Sequence, residues 1–137
     1  HSCIGLVRFN VPNNFLRDSF YSFKISIVIT MEDYLLVVTA IEKRAGAEKI
    51  ATVLVERRLA ACVQIVGPIV STYRWKGTIE TAEEWLCVIK STKALYEELE
   101  KAIEEIHPYE TPELFALPVV AGSKDYLKWL SSEVKKK

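Results

Sequence analysis

Between Glu84 and Lys90 the chain is apolar on both sides of an extended segment. Side chains alternate along a strand, so Trp85, Cys87 and Ile89 face one way and Leu86 and Val88 the other. A strand of this kind belongs inside a sheet covered on both faces. The flanking elements must supply those covers, and their order therefore limits the folds open to the chain.

That order is legible from periodicity. Tyr34–Ala40 is a continuous apolar run suited to a strand buried on both sides. From Ala47 to Leu59 the apolar positions 47, 50, 51, 54, 55 and 59 form a helical stripe. Ala61–Ile65 restarts as a strand, and Gly67-Pro68 predicts a bulge, bend or edge position before Ile69–Trp75. Lys76-Gly77 predicts a hairpin turn into Ile79–Lys90. Leu95, Leu99, Ala102, Ile103 and Ile106 predict a helix that Pro108 ends. Leu114–Val120 reads as a short strand, with Pro118 placed where a ladder bond is dispensable. Ser123 is the expected N-cap of a last helix through Val134. The fold class is α+β: a ferredoxin-like split βαβ sandwich with an additional C-terminal helix. Two helices cover one sheet face. The second face is buried either by another subunit or by the final helix.

Residues 1–33 lack a sustained period. They read as an N-terminal extension of unknown role, with an extra strand at Phe23–Thr30 as the alternative; 34–134 is the domain and 135–137 a solvated basic tail. The 18 basic and 18 acidic residues balance, which gives no electrostatic case for nucleic acid or an anionic membrane. No apolar run reaches the roughly 20 residues of a membrane span, so no direct membrane insertion is expected. Cys3, Cys62 and Cys87 are widely spaced, which favours a reduced, cytoplasmic setting over a disulfide scaffold.

Each candidate site residue has two readings. Cys62 is a soft metal ligand or a packed strand cysteine. His107 follows a helix on a loop, where it binds a metal or caps the helix end. Glu110 and Glu113 are hard oxygen ligands or solvated loop carboxylates. Tyr73 and Trp75 share a strand face as a ligand wall or as interface residues. Lys90 is at a pocket edge or is simply a charged strand terminus. Cys62 and His107 are also the one nucleophile–base pair of the domain. No G-x-S-x-G, phosphate-cradling glycine loop or H-E-x-x-H accompanies them, so neither an enzyme nor an organic cofactor is expected.

Several motifs together resemble the CutA divalent-cation tolerance family. They are Arg58-Leu-Ala-Ala-Cys-Val-Gln-Ile65, Ser71-x-Tyr73-x-Trp75-x-Gly77-x-Ile79, Ile89-Lys90, His107-Pro-Tyr-Glu-x-Pro-Glu113 and Tyr126-x-x-Trp129. The resemblance implies a homotrimer of ferredoxin-like subunits that binds copper or another divalent metal, with Cys62 and His107 at positions that match the family motif; Glu110, close to His107 in sequence, is the expected further ligand. A regulatory or scaffolding trimer that binds a small anion or an unknown protein partner is the competing expectation.

Overall fold

The computed structural model describes residues 2–6, 28–32 and 34–137. Their contacts divide the chain into two compact units, His1–Glu32 and Asp33–Lys137. In the first unit β1 (Ser2–Leu6) pairs antiparallel with β2 (Val28–Glu32). Part of the alternative strand at Phe23–Thr30 is thus β2; residues 23–27 lie outside the described ones.

The second unit runs β3 (Tyr34–Ile41), α1 (Arg44–Glu56), β4 (Cys62–Trp75), β5 (Thr78–Thr92), α2 (Tyr96–Ile106), β6 (Leu114–Pro118) and α3 (Lys124–Glu133). A single 3-10 turn, Lys93–Leu95, leads into α2. The four strands form one sheet in the order β4-β5-β3-β6, with every neighbouring pair antiparallel. This is the expected ferredoxin-like arrangement. The edge strands β4 and β6 carry Pro68 and Pro118, where a missing amide hydrogen costs least.

Turn chemistry sets the register. Lys76 and Gly77 both have positive φ, 48° and 80°, and join the paired residues Trp75 and Thr78 as a two-residue hairpin loop. Farther along, Val66 faces Leu86 while Ile69 faces Glu84, so β4 carries one residue more than β5 and bulges there. Gly67 occupies the bulge because a Cβ would come within 2.7 Å of the Trp85 ring.

One sheet face carries the core. Val37, Cys87 and Ile89 are enclosed by Ala47, Ile50 and Leu54 of α1 and by Leu99, Ala102 and Ile103 of α2. Leu130 and Val134 of the α3 segment join this same cluster. Arg58 fixes that end of α3: its guanidinium donates to the Ser132 and Glu133 carbonyls at 2.7 and 3.0 Å, as suits a helix C-terminus. The tail is anchored too, not simply solvated, since the Lys135 amide donates to the Arg58 carbonyl and its ammonium pairs with Glu98. The Leu130–Val134 end of this segment therefore serves the core already covered. On the opposite face, Val66, Phe115 and Leu117 remain 49%, 43% and 49% exposed.

Candidate functional site

The β4–β5 register places Ser71, Tyr73 and Trp75 on the same face as Glu84, because their partners Ala82, Glu80 and Thr78 alternate in step with it. This is the face without helices. The segment from His107 to Glu113 forms the opposing wall, and two bonds to β3 hold it there. At one end His107 bonds the Ala40 carbonyl through Nε2 at 2.8 Å. At the other, the Thr39 hydroxyl donates to the Glu113 carbonyl at 2.6 Å.

Between these anchors the Tyr109 amide donates to His107 Nδ1 at 3.2 Å, and the two rings meet edge to face at 4.6 Å. Nδ1 is therefore the acceptor and Nε2–H the donor, and both nitrogens of this buried imidazole are committed within the chain. The Tyr109 hydroxyl in turn donates to Glu84 Oε2 at 3.1 Å. The outcome is a cleft of about 620 Å³ lined by Ser71, Thr72, Tyr73, Trp75, Glu84, Tyr109, Glu110, Thr111 and Glu113. Its lining contains three carboxylates and no lysine, arginine or histidine.

Electrostatics follow from that composition. Partial burial, and then the nearby Glu84 charge, push the Glu113 carboxyl above the usual carboxylate range. Burial, the hydrogen bond to Glu84 and its charge push the Tyr109 phenol up to about 12. Both shifts come first from burial and then from Glu84.

The sequence-derived candidates divide. Tyr73, Trp75, Glu110 and Glu113 do meet in one cleft. Cys62 does not join them: it lies at the opposite end of β4, paired with Lys90. Lys90 pairs in turn with Leu36, four residues along β3 from Ala40, to which His107 is bound. Strand geometry thus puts Cys62 about 16 Å from the His107 anchor. The two do not converge within one chain, either as metal ligands or as a nucleophile–base pair. Lys90 is not at the edge of this cleft; its ammonium lies 5.4 Å from the centre of the Tyr126 ring. Among the described residues, no three His, Cys, Asp or Glu side chains come together as a metal-ligand set.

Sequence reasoning missed Glu84 and Tyr109. Glu84 is only 7% exposed, yet in sequence it is one more charged position within the expected strand Ile79–Lys90. The available signal was the two-residue turn at Lys76-Gly77, which fixes a register that aligns Tyr73 and Trp75 with the even-numbered positions of the returning strand.

Comparison with known proteins agrees with this architecture. Residues 35–133 match the family model described as CutA1 divalent ion tolerance protein. The chain is 41% identical over 100 residues to the divalent-cation tolerance protein CutA of Thermus thermophilus, covering 73% of this chain and 95% of that one. It is 36% identical over 126 residues to the chloroplastic CutA of Arabidopsis thaliana, covering 88% and 69%. Among solved structures, the Thermus thermophilus protein superposes with a TM-score of 0.73 at 37% identity, covering 74% of this chain and 99% of that chain. CutA1 from Oryza sativa superposes with a TM-score of 0.75 at 31% identity, covering 77% and 97%. With the ferredoxin-like sheet, the motifs and the match over residues 35–133 in agreement, the chain belongs to the CutA1 divalent ion tolerance family.

Proposed function

We propose that this chain works without catalysis, as a homotrimer that takes up a divalent cation in the carboxylate cleft. The observation that carries the reading is the convergence of Glu84, Glu110 and Glu113 on one cleft with no basic lining residue. That charge pattern favours a cation and disfavours the small anion of the competing expectation. It also moves the donor set from sulfur and imidazole to oxygen. Cys62 is remote, and the His107 nitrogens are spent on Ala40 and Tyr109.

One or two of the carboxylates Glu84, Glu110 and Glu113 would hold the ion, with water completing its shell, because among the described residues no three such side chains come together as a ligand set. Affinity is accordingly modest. Copper(II) and zinc(II) accept such oxygen donors but also prefer softer ones. The exposed apolar face that presents Val66, Phe115 and Leu117 supports assembly, since a second copy would bury it. The free thiols of Cys62 and Cys87 suit a reducing, cytoplasmic compartment.

The test is calorimetric titration of zinc(II) and copper(II) into wild type, Glu84→Gln, Glu113→Gln, Cys62→Ser and His107→Ala. The glutamine variants are expected to weaken binding about tenfold, near 1.4 kcal/mol. Cys62→Ser should bind like the wild type. Loss of binding in Cys62→Ser alone would refute the oxygen-donor cleft. Sedimentation equilibrium should report three subunits, and a concentration-independent monomer would refute the assembly.

A further inference from the structure

The loop between α2 and β6 is fixed by two kinds of bond. At its far end the Thr39 hydroxyl donates to the Glu113 carbonyl, and neither group gains or loses a proton near neutral pH. At its near end the fixing group is an imidazole, the side chain that ordinarily changes charge between about pH 5 and 8. His107 is 7% exposed and both its nitrogens are in use. Nε2–H donates to the Ala40 carbonyl, a bond that the neutral and the charged ring make equally. Nδ1 accepts the Tyr109 amide, a bond open only to the neutral ring. A second proton, taken from water at Nδ1, sets N–H against N–H and leaves that amide without its acceptor.

The surroundings accept the charge while the geometry rejects the bond. His107 is the C-cap of α2, where the partial negative charge of a helix end favours an imidazolium. The charges acting on the adjoining Tyr109 are Glu84 of β5 and Glu42 after β3, with the Tyr73 phenol of β4 beside them. Glu113 adds a further carboxyl on the loop, and Glu104 and Glu105 at the end of α2 are exposed. Arg44 at the start of α1 is engaged by Glu48 at 3.0 Å and by the Trp85 ring at 5.4 Å. A protonated ring is therefore not expelled: it stays on Ala40 and gives up Tyr109. That residue ties the loop to the sheet, through its hydroxyl on Glu84 at 3.1 Å and its ring against the imidazole at 4.6 Å.

We propose that His107 is a proton-operated latch: a proton at Nδ1 frees the Tyr109 amide and lets the stretch from Pro108 to Pro112 leave β5, while the anchors at Ala40 and Thr39 hold. The device does not depend on what the cleft binds or on what covers it, because every bond in it lies within one chain.

The experiment is NMR titration of the nitrogen-15-labelled 137-residue chain, with His1→Ala leaving His107 as its one imidazole. At about pH 8 Nδ1 should show the shift of a bare acceptor and Nε2 that of an N–H, and toward about pH 5 Nδ1 should gain the second proton. Over the same interval the protection of the Tyr109 amide, corrected for the intrinsic exchange rate, should fall at least tenfold. The His107 amide, bound to the Ile103 carbonyl at 2.8 Å, is the internal control and should keep its protection. Glu113→Gln removes a carboxyl that burial raises, and should leave the transition in place. His107→Gln should make Tyr109 protection independent of pH; where that variant does not fold, the titration of the unsubstituted ring decides alone. A proton on Nδ1 already at pH 8, or a ring still neutral at pH 5, overturns the proposal. So does a charged ring with Tyr109 protection unchanged, or a transition that vanishes in Glu113→Gln. Equal loss of protection at the His107 and Tyr109 amides overturns it too, since the whole helix end would then be unfolding.

Discussion

Replacing His107 with alanine separates a ligand from a strut. In the structure the imidazole is 7% exposed and makes two hydrogen bonds, one to the Ala40 carbonyl and one from the Tyr109 amide. Each bond contributes about 0.5–1.5 kcal/mol net, and a buried group left unsatisfied costs about 1–3 kcal/mol. Water entering the vacated space would satisfy part of the deficit. The expected loss is therefore about 2–4 kcal/mol of folding free energy. For a domain of this size that corresponds to a melting shift on the order of 10 °C or more. The assay is denaturant unfolding at one fixed protein concentration, because assembly couples stability to mass action. Hydrogen exchange at the Tyr109 amide should accelerate in parallel. Zinc affinity of the folded variant should fall less than in Glu84→Gln, since the carboxylates remain and only their loop loosens. Stability within about 0.5 kcal/mol of wild type, together with abolished zinc binding, would refute the structural assignment and return His107 to the ligand set.

Three other outcomes are expected. Phe115→Lys places a charge on the open sheet face and should convert trimer to monomer in sedimentation equilibrium, because desolvating an unpaired ammonium is costly; an unchanged trimer would move the interface elsewhere. The Tyr109 phenol, raised to about 12 from an ordinary value near 10, contributes stability that is complete below pH 10 and lost as pH rises through 12. Phenolate absorbance should show late titration of Tyr109, alongside Tyr96, whose phenol burial also raises, and Glu84→Gln should bring the Tyr109 component back toward the ordinary range. In a Cys3→Ser background, a thiol reagent should label half-buried Cys62 and spare Cys87, whose thiol is enclosed and pushed up to about 11 by burial; equal labelling of native protein would contradict this packing.

Periodic elements were legible in the sequence because burial imposes the period. The α2 stripe, the β3 run and the Ser123 cap all appear where expected, with Ser123 accepting from the Tyr126 amide at 3.3 Å. Boundaries failed where a residue served a tertiary contact. The expected helical stripe starts at Ala47, yet α1 begins at Arg44 and takes Gly46 into its first turn. A Cβ there would meet Ile41 at 2.5 Å, so this glycine permits a close approach. At the other end, Arg58 takes φ 56° and turns the chain before Leu59, which shortens the expected helix. Val55, counted in the buried stripe, is 43% exposed.

The candidate site was only half legible, and the reason lies in the difference between strand and loop. Tyr73 and Trp75 share a face by strand period alone, so their pairing needed no structure. Glu110 and Glu113 reach the same cleft because Thr39 and Ala40 bind the loop at both ends, and nothing local in the loop encodes those partners. The same anchoring changed the meaning of His107. A loop histidine after a helix suggests a free ligand, but β3 offers a carbonyl to one nitrogen and Tyr109 an amide to the other. Cys62 and Lys90 show the converse: distant in sequence, they are cross-strand partners, and the antiparallel register carries them to the end of β4 away from the hairpin. The hairpin register, the loop anchors and the Tyr109–Glu84 bond jointly build a carboxylate-lined cleft that Cys62 does not enter. Chemistry read from residue identity alone pointed to soft metals, whereas the cleft of the folded chain is lined by carboxylates and aromatic surface.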